Sequence, residues 1–197
     1  MIRHASVTVL FVVVVVLIGC NKKQPEQPKA SPQLQELAQA HGGAAPNSVA
    51  GVTWSMPQHW AVAPPRQMRV ATYAVSPVEG DPDPAECGVF YFGNDQGGSV
   101  EANIDRWVGQ FEASDAPVRS SREVNGLKVT LVQIAGTYLA PGGPMMQSQG
   151  KKENFKLLGA IVQAPEGSVF FKLTGPAKTI AAAEGDFNGL ISSLKKQ

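Results

Sequence analysis

The sequence has few of the residues on which catalytic chemistry usually depends. It contains two cysteines, Cys20 and Cys87, and three histidines among 197 residues. No cysteines and histidines are spaced as zinc ligands are, no Gly-x-Ser-x-Gly elbow marks a hydrolase nucleophile, and no phosphate-binding loop ends in Gly-Lys-Ser/Thr. These absences favour a protein that is not an enzyme and needs no cofactor.

The chain also lacks an excess of either charge. It has 17 basic and 16 acidic residues, and removing residues 1–19 takes away only Arg3, which leaves 16 of each. A nucleic-acid-binding protein needs a basic patch or stripe to meet the phosphate backbone. We therefore expect no nucleic-acid partner.

A long apolar run lies near the N-terminus, at residues 9–18. Its ten residues are too few for a membrane-spanning helix, which needs about 20. With Arg3 before it and Gly19 after it, the run has the layout of a secretory signal peptide. The residues Leu17-Ile18-Gly19-Cys20 resemble the bacterial lipobox. The alternative is an ordinary signal peptide followed by an unrelated cysteine.

The lipobox resemblance implies that residues 1–19 are removed and that Cys20 is lipidated. Two or three acyl chains on one residue hold a protein stably on a membrane, whereas a single chain does so only marginally. Residue 21 is Asn and not the Asp that tends to retain such lipoproteins at the inner membrane. The resemblance thus implies a lipid-anchored protein of the bacterial envelope that faces the periplasm, with the outer membrane favoured, or the cell surface.

Behind the anchor, the composition divides the chain into two parts. Residues 20–47 are rich in proline, glutamine and lysine and predict a flexible tether. Residues 48–197 have regular aromatic and β-branched positions, and their number suits one domain with a sizeable core. We expect this domain to be monomeric.

Two segments of the domain have helical periodicity. The first carries an apolar stripe and follows Ser99, a suitable N-cap. Its stripe consists of Val100, Ile104, Trp107, Val108 and Phe111. The second starts at Pro176 and ends with Lys195 and Lys196, which suit the two ends of a helix dipole. Its stripe consists of Ile180, Ala183, Glu184, Phe187, Leu190, Ile191 and Leu194.

The rest of the domain predicts strands joined by tight turns. Asn125-Gly126 is a strong hairpin signal, and Pro165-Glu166-Gly167 predicts another turn. The segments CGVFYF and LLGAIV are apolar on both faces, which predicts strands covered on both sides. The predicted strands are residues 52–56, 69–75, 86–92, 119–124, 128–137, 156–163 and 168–174.

These elements predict an α+β domain with a mostly antiparallel sheet of six to seven strands flanked by two helices. The order of strands, one helix, four strands and a C-terminal helix resembles the Mog1/PsbP-like fold. That resemblance implies a binding or accessory role, since its members are mostly accessory proteins. The leading expectation is therefore a non-catalytic domain that binds a protein or an envelope component.

The alternative function is a hydrolase of the cell envelope. Its base would be His59 or an acidic residue of the stretch EGDPDPAE, which contains Glu79, Asp81, Asp83 and Glu86. A cleft in which His59 meets a carboxylate would favour the enzyme. The same carboxylates could bind Ca²⁺, but Pro84 stands where further ligands belong, so we expect a proline-stiffened surface loop and no metal.

Three further features have two interpretations each. Gly97, Gly98 and Ser99 precede a helix and could contact an anion, or form an ordinary capped turn. Met145 and Met146 lie in an irregular stretch, residues 140–154, and could contact a partner or belong to a plain loop. Cys87 could be reactive, but its apolar neighbours favour a small buried hydrophobe.

Overall fold

The computed structural model describes residues 47–112, 115–140 and 150–197. The predicted signal peptide, Cys20 and the tether up to residue 46 lie outside these residues, as do Met145 and Met146. Within the described ranges, no helix is both long and apolar enough to cross a membrane. The elements in chain order are β1 Ser48–Val49, β2 Val52–Thr53, β3 Ala61–Val62, β4 Ala71–Val75, β5 Ala85–Tyr91, α1 Val100–Val108, β6 Phe111–Glu112, β7 Val118–Val124, β8 Leu127–Leu139, β9 Lys151–Ala164, β10 Gly167–Pro176, α2 Ala177–Ser192 and β11 Lys195–Lys196.

The main sheet is antiparallel and has eight strands, in the order β3-β4-β5-β10-β9-β8-β6, with β7 also paired to β8. The mostly antiparallel α+β architecture with two helices is confirmed. The predicted count of six to seven strands is too low, because the two-residue edge strands β3 and β6 have no pattern of their own. Both predicted turns are present: Asn125 and Gly126, at φ 48° and 77°, join β7 to β8, and Pro165 with Glu166 joins β9 to β10.

A second, three-stranded sheet joins the two ends of the described domain, in the order β1-β2-β11. Lys195 and Lys196 pair with Thr53 and Val52, so the prediction that they end the second helix is wrong. The reason is that α2 stops at Ser192, and Ser193 caps it by donating its backbone N–H to the Gly189 carbonyl. The two lysines then continue as an exposed strand.

One face of the main sheet is covered by α2 and contains most of the core. Trp54 is representative: its indole N–H donates to the Tyr73 hydroxyl at 2.8 Å, and its ring meets Phe171 edge-on, with centroids 5.3 Å apart. Cys87 is free and fully buried on this face, as predicted. Burial raises the pKa of its thiol, and Glu86 raises that pKa further. A thiol held in its neutral form is a poor nucleophile.

The opposite face is only partly covered by α1. Trp107 lies directly over Gly159 of β9, where an added Cβ would be 2.3 Å from the ring. Ser99 caps this helix, as predicted, and the helix ends at Val108 with Gly109 as its C-cap. Phe111, predicted as part of the helical stripe, instead lies in β6, where it remains buried against Tyr138. A nine-residue helix is about 14 Å long, and the buried apolar cluster that it joins draws its other buried residues from β6, β8, β9 and β10.

Candidate functional site

Polar side chains from several segments meet on the sheet face that α1 only partly covers. We call this group the charged cluster. Lys172 lies on β10, Glu86 on β5 and Tyr138 on β8, while the two arginines precede β4 and the glutamine follows α1. The charged cluster consists of Arg66, Arg69, Glu86, Gln110, Tyr138 and Lys172.

The strand register explains why the cluster forms. Lys172 pairs with Gly88 of β5, so the two positions lie on the same face of the sheet. Because Gly88 has no side chain, Arg69 can lie above it: an added Cβ at Gly88 would be 3.5 Å from the Arg69 Cζ atom. Arg69 also lies over the Phe90 ring, 5.3 Å from its centroid, at a distance typical of a cation–π contact. The glycine therefore brings a guanidinium next to a lysine on the neighbouring strand.

Two arginines share one carboxylate in the cluster. Glu86 is 2.6 Å from Arg69 Nη1 and 2.9 Å from Arg66 Nη2. Arg69 Nη1 also donates to the Thr72 hydroxyl at 3.3 Å. The side chains of Arg69 and Glu86 are 20% and 34% exposed, so their attraction is less screened than that of a fully exposed pair.

Lys172 has no such carboxylate. Its ammonium donates to the Gln110 side-chain oxygen and lies 5.6 Å from the centre of the Tyr138 ring. Among the described residues, no carboxylate forms an ion pair with it. Burial lowers the pKa of Lys172 to about 8; Arg69 lowers this pKa further and Glu86 opposes the change. The lysine is thus cationic at neutral pH, in an environment that disfavours the charge.

Aromatic rings form the other side of the cluster. Tyr138 stacks on Phe155 with centroids 5.7 Å apart, and Lys152 lies 5.5 Å from the centre of the Phe155 ring. Burial raises the pKa of Tyr138, and Glu86 raises it further, so its hydroxyl remains protonated. Lys152 itself is paired with Asp83 at 2.8 Å.

The carboxylates of the stretch EGDPDPAE separate in the structure. Asp81 accepts hydrogen bonds from Thr179 at the start of α2, Asp83 pairs with Lys152, and Glu86 joins the charged cluster. Glu79 is exposed. Over the described residues, no three histidine, cysteine, aspartate or glutamate side chains gather as a metal site would require.

His59 meets a carboxylate, as the hydrolase alternative requires. Its Nε2 is 2.6 Å from Asp186 Oδ2 on α2. The pair is on the surface, with side chains 65% and 29% exposed, and lies at the helix that covers the face opposite to the charged cluster. In the part of the chain that the structure describes, no serine, threonine or cysteine forms a hydrogen bond with the imidazole. The pair therefore supplies a base and an orienting acid without an adjacent nucleophile.

The predicted anion contact before α1 is occupied by capping interactions. The Ser99 hydroxyl accepts from the Ala102 N–H at 3.1 Å. The carbonyls of Gly97 and Ser99 accept from the Asn103 amide at 2.7 and 2.9 Å. Gly97 and Gly98 have φ angles of 90° and 81°, which favour glycine. Anion binding by Gly97, Gly98 and Ser99 stays a prediction.

A groove of about 410 Å³ lies between α1 and β7. It is lined by polar and apolar residues alike, including Ile104, Arg119 and Lys128. Its arginine is already paired with Glu101 at 2.5 Å, on the rim formed by α1. The charged residues of its lining, Glu101, Arg119 and Lys128, sum to +1 when all are ionised, a smaller net charge than that of the charged cluster.

Sequence reasoning identified Glu86 but missed Arg66, Arg69, Gln110, Tyr138 and Lys172. One signal was present: Lys172 is the only charged residue in the strand GSVFFKLTGP. A lone lysine in an otherwise apolar strand indicates either a strand at the edge of the sheet or a functional position. The other residues have no local signal, since they meet only through the pairing of β5, β8, β9 and β10.

No protein-family model matches the chain, and no curated protein matches it. Among solved structures, it is similar to cyanobacterial PsbP (CyanoP) from Synechocystis, at 10% identity and a TM-score of 0.48, over 79% of this chain and 98% of that one. It is also similar to PA94, a protein of unknown function from Pseudomonas aeruginosa, at 10% identity and a TM-score of 0.44, over 72% of this chain and 94% of that one. A PsbP structure is thus among these neighbours, but TM-scores below 0.5 carry no argument about this chain. Its assignment to the Mog1/PsbP-like fold stays a prediction.

Proposed function

We propose that this chain is a lipid-anchored protein of the bacterial envelope whose domain binds an envelope component at the charged cluster, without catalysis. The observation that carries the proposal is the cluster itself: three cations, Arg66, Arg69 and Lys172, surround one carboxylate, Glu86. The lipobox-like Leu17-Ile18-Gly19-Cys20 supports the anchor. Asn21 supports a position at the outer membrane facing the periplasm, and the order of the elements supports a Mog1/PsbP-like fold. We also propose that the domain is monomeric.

The surroundings of Lys172 favour binding over catalysis. A lysine with a lowered pKa is a candidate nucleophile or base, because its neutral form is accessible. Here, however, the Gln110 oxygen and the Tyr138 ring face both stabilise the charged form. An ammonium held in this way serves as a fixed positive charge for a ligand.

Affinity capture with charge-removing variants tests the proposal. The acylated full-length chain is purified from its own membranes as the wild type, as Lys172→Met and as the control Lys178→Met, which alters an exposed lysine on α2. We expect one envelope component to co-purify with the wild type and the control, and its recovery to fall about tenfold with Lys172→Met. Equal recovery with all three chains would contradict a binding role for the charged cluster.

The hydrolase alternative has one observation in its favour, the contact between His59 and Asp186. It predicts hydrolysis of an ester, phosphate, peptide or glycoside substrate that disappears in His59→Ala and Asp186→Asn. We expect no turnover by the wild type with any of these substrate classes. Activity that survives purification and is lost in both variants would replace the binding proposal.

A further inference from the structure

The charge balance of the cluster points to the kind of ligand that it binds. Arg66, Arg69 and Lys172 face only Glu86, which gives a net charge of +2 when all four are ionised. The adjoining Lys152 and Asp83 form a neutral pair at 2.8 Å and do not change this sum. Cations that are partly withdrawn from water repel one another more strongly than exposed ones. A bound anion would relieve that repulsion.

The cluster also has more hydrogen-bond donors than acceptors. Lys172 uses its ammonium on Gln110 alone, although an ammonium has three donors. Arg69 is bonded only through Nη1, although a guanidinium has five donors. Among the described residues, the Tyr138 hydroxyl forms no hydrogen bond, and the buried Thr174 hydroxyl next to Lys172 has no partner. A ligand with several acceptor oxygens and no donors would satisfy these groups.

From the net charge and the unused donors we propose that the charged cluster binds a phosphate group, with Lys172 and Arg69 contacting its oxygens. This inference rests on the proposed binding function and adds the chemical class of the ligand. A phosphate monoester carries a charge of about −1.5 to −2 near neutral pH and has three terminal oxygens, which matches a net charge of +2. A carboxylate would leave one cation without a counterion.

Calorimetric titration with inorganic phosphate tests the inference. The acylated full-length protein, in a nonionic detergent at pH 7 and constant ionic strength, is titrated as the wild type, Lys172→Met and the control Lys178→Met. We expect phosphate to bind the wild type and the control equally, and Lys172→Met at least about tenfold more weakly. A second variant, Tyr138→Phe, keeps the stacked ring and should weaken binding severalfold. Absence of binding to the wild type, or equal affinities for all four chains, would overturn the inference.

A second arm identifies the source of the phosphate. Short-chain phosphatidic acid in the same detergent is compared with phosphatidylcholine, which lacks a monoester phosphate. Binding of phosphatidic acid that depends on Lys172 indicates a lipid headgroup, whereas binding of inorganic phosphate alone indicates a soluble ligand; both results support a phosphate site.

The two proposals can fail separately. If the captured envelope component depends on Lys172 while phosphate does not bind, the ligand class is wrong and the binding function stands. If phosphate binding depends on Lys172 while capture does not, the phosphate site stands and the proposed binding function at the cluster is contradicted.

Discussion

Asp81 caps a helix that begins 96 residues further along the chain. Its Oδ2 accepts hydrogen bonds from the Thr179 backbone N–H at 2.8 Å and from the Thr179 hydroxyl at 2.6 Å. The N-cap position of α2 is Pro176, which offers no side-chain cap. The backbone N–H groups in the first turn of a helix need such acceptors, and Asp81 supplies one from the loop before β5.

Replacing Asp81 should therefore destabilise the domain. We expect Asp81→Ala to lower the free energy of unfolding by about 1–2 kcal/mol, the usual effect of losing a helix cap. Urea denaturation measures it, with Glu79→Ala in the same loop as the control, because Glu79 is exposed. A loss in Asp81→Ala no larger than in the control would show that the cap does not contribute to stability.

Two glycines should respond in opposite directions to substitution by alanine. At Gly159 an added Cβ would be 2.3 Å from Trp107 Cζ3 and 2.8 Å from Val132, so α1 must shift. We expect Gly159→Ala to destabilise by about 1–3 kcal/mol, as overpacked sites do. At Gly185 in α2 nothing lies within 4 Å, so Gly185→Ala should stabilise by about 0.5–1 kcal/mol. Thermal unfolding compares the two, and a tolerated Gly159→Ala would mean that α1 does not pack closely on β9.

The contribution of Lys172 to the stability of the domain should rise with pH above about 8. The pKa of Lys172 is about 8 in the folded protein, whereas a lysine in the unfolded chain has the ordinary value of 10.5. Between these two pH values this side chain therefore binds more protons in the unfolded chain than in the folded one. The slope of the unfolding free energy with pH is then positive. Relative to Lys172→Met, the wild type should gain on the order of 2 kcal/mol between pH 8 and pH 10. Below pH 8 the unfolding free energies of the wild type and Lys172→Met should change with pH in parallel. A parallel change over the whole pH range would refute the lowered pKa of Lys172.

The anchor is tested by metabolic labelling with an acyl-chain probe. Cys20→Ser should lose the label and stay unprocessed, because the thiol is the predicted attachment point. Cys87→Ala is the control: Cys87 is fully buried in the folded domain, and its loss should leave labelling unchanged. Undiminished label in Cys20→Ser would contradict the proposed lipid anchor.

The parts of the fold that sequence predicts well are those with a local cause. The period of α1, its N-cap Ser99 and the Asn125-Gly126 turn all depend on neighbours within a few residues, and all are present. The two-residue strands and the fate of Lys195 and Lys196 depend on distant pairing, which leaves no periodic signal. The same holds for the charged cluster, since Arg69 and Lys172 are separated by about a hundred residues and meet because Gly88 lies between them.

The carboxylates of EGDPDPAE show most clearly what the sequence does not predict. In the sequence they form one acidic stretch, which predicts a proline-stiffened surface loop, with a Ca²⁺ site or a catalytic base as the alternatives. In the fold each one has a separate task, because Asp81 turns toward α2, Asp83 toward Lys152 and Glu86 toward Arg69. Proximity along a loop did not predict proximity in space, since a turn can direct successive side chains to different neighbours.

Site-specific photo-crosslinking tests the proposed binding face most directly. A photoreactive residue is placed in the full-length chain, in its own cells, at one of two positions. Met68 is 74% exposed between Arg66 and Arg69, and Val118 is 66% exposed on β7. We expect Met68 to give one discrete adduct with an envelope component, lost when Lys172→Met is added, and Val118 to give none. Equal adducts from both positions, or an adduct from Met68 that persists with Lys172→Met, would contradict binding at the charged cluster.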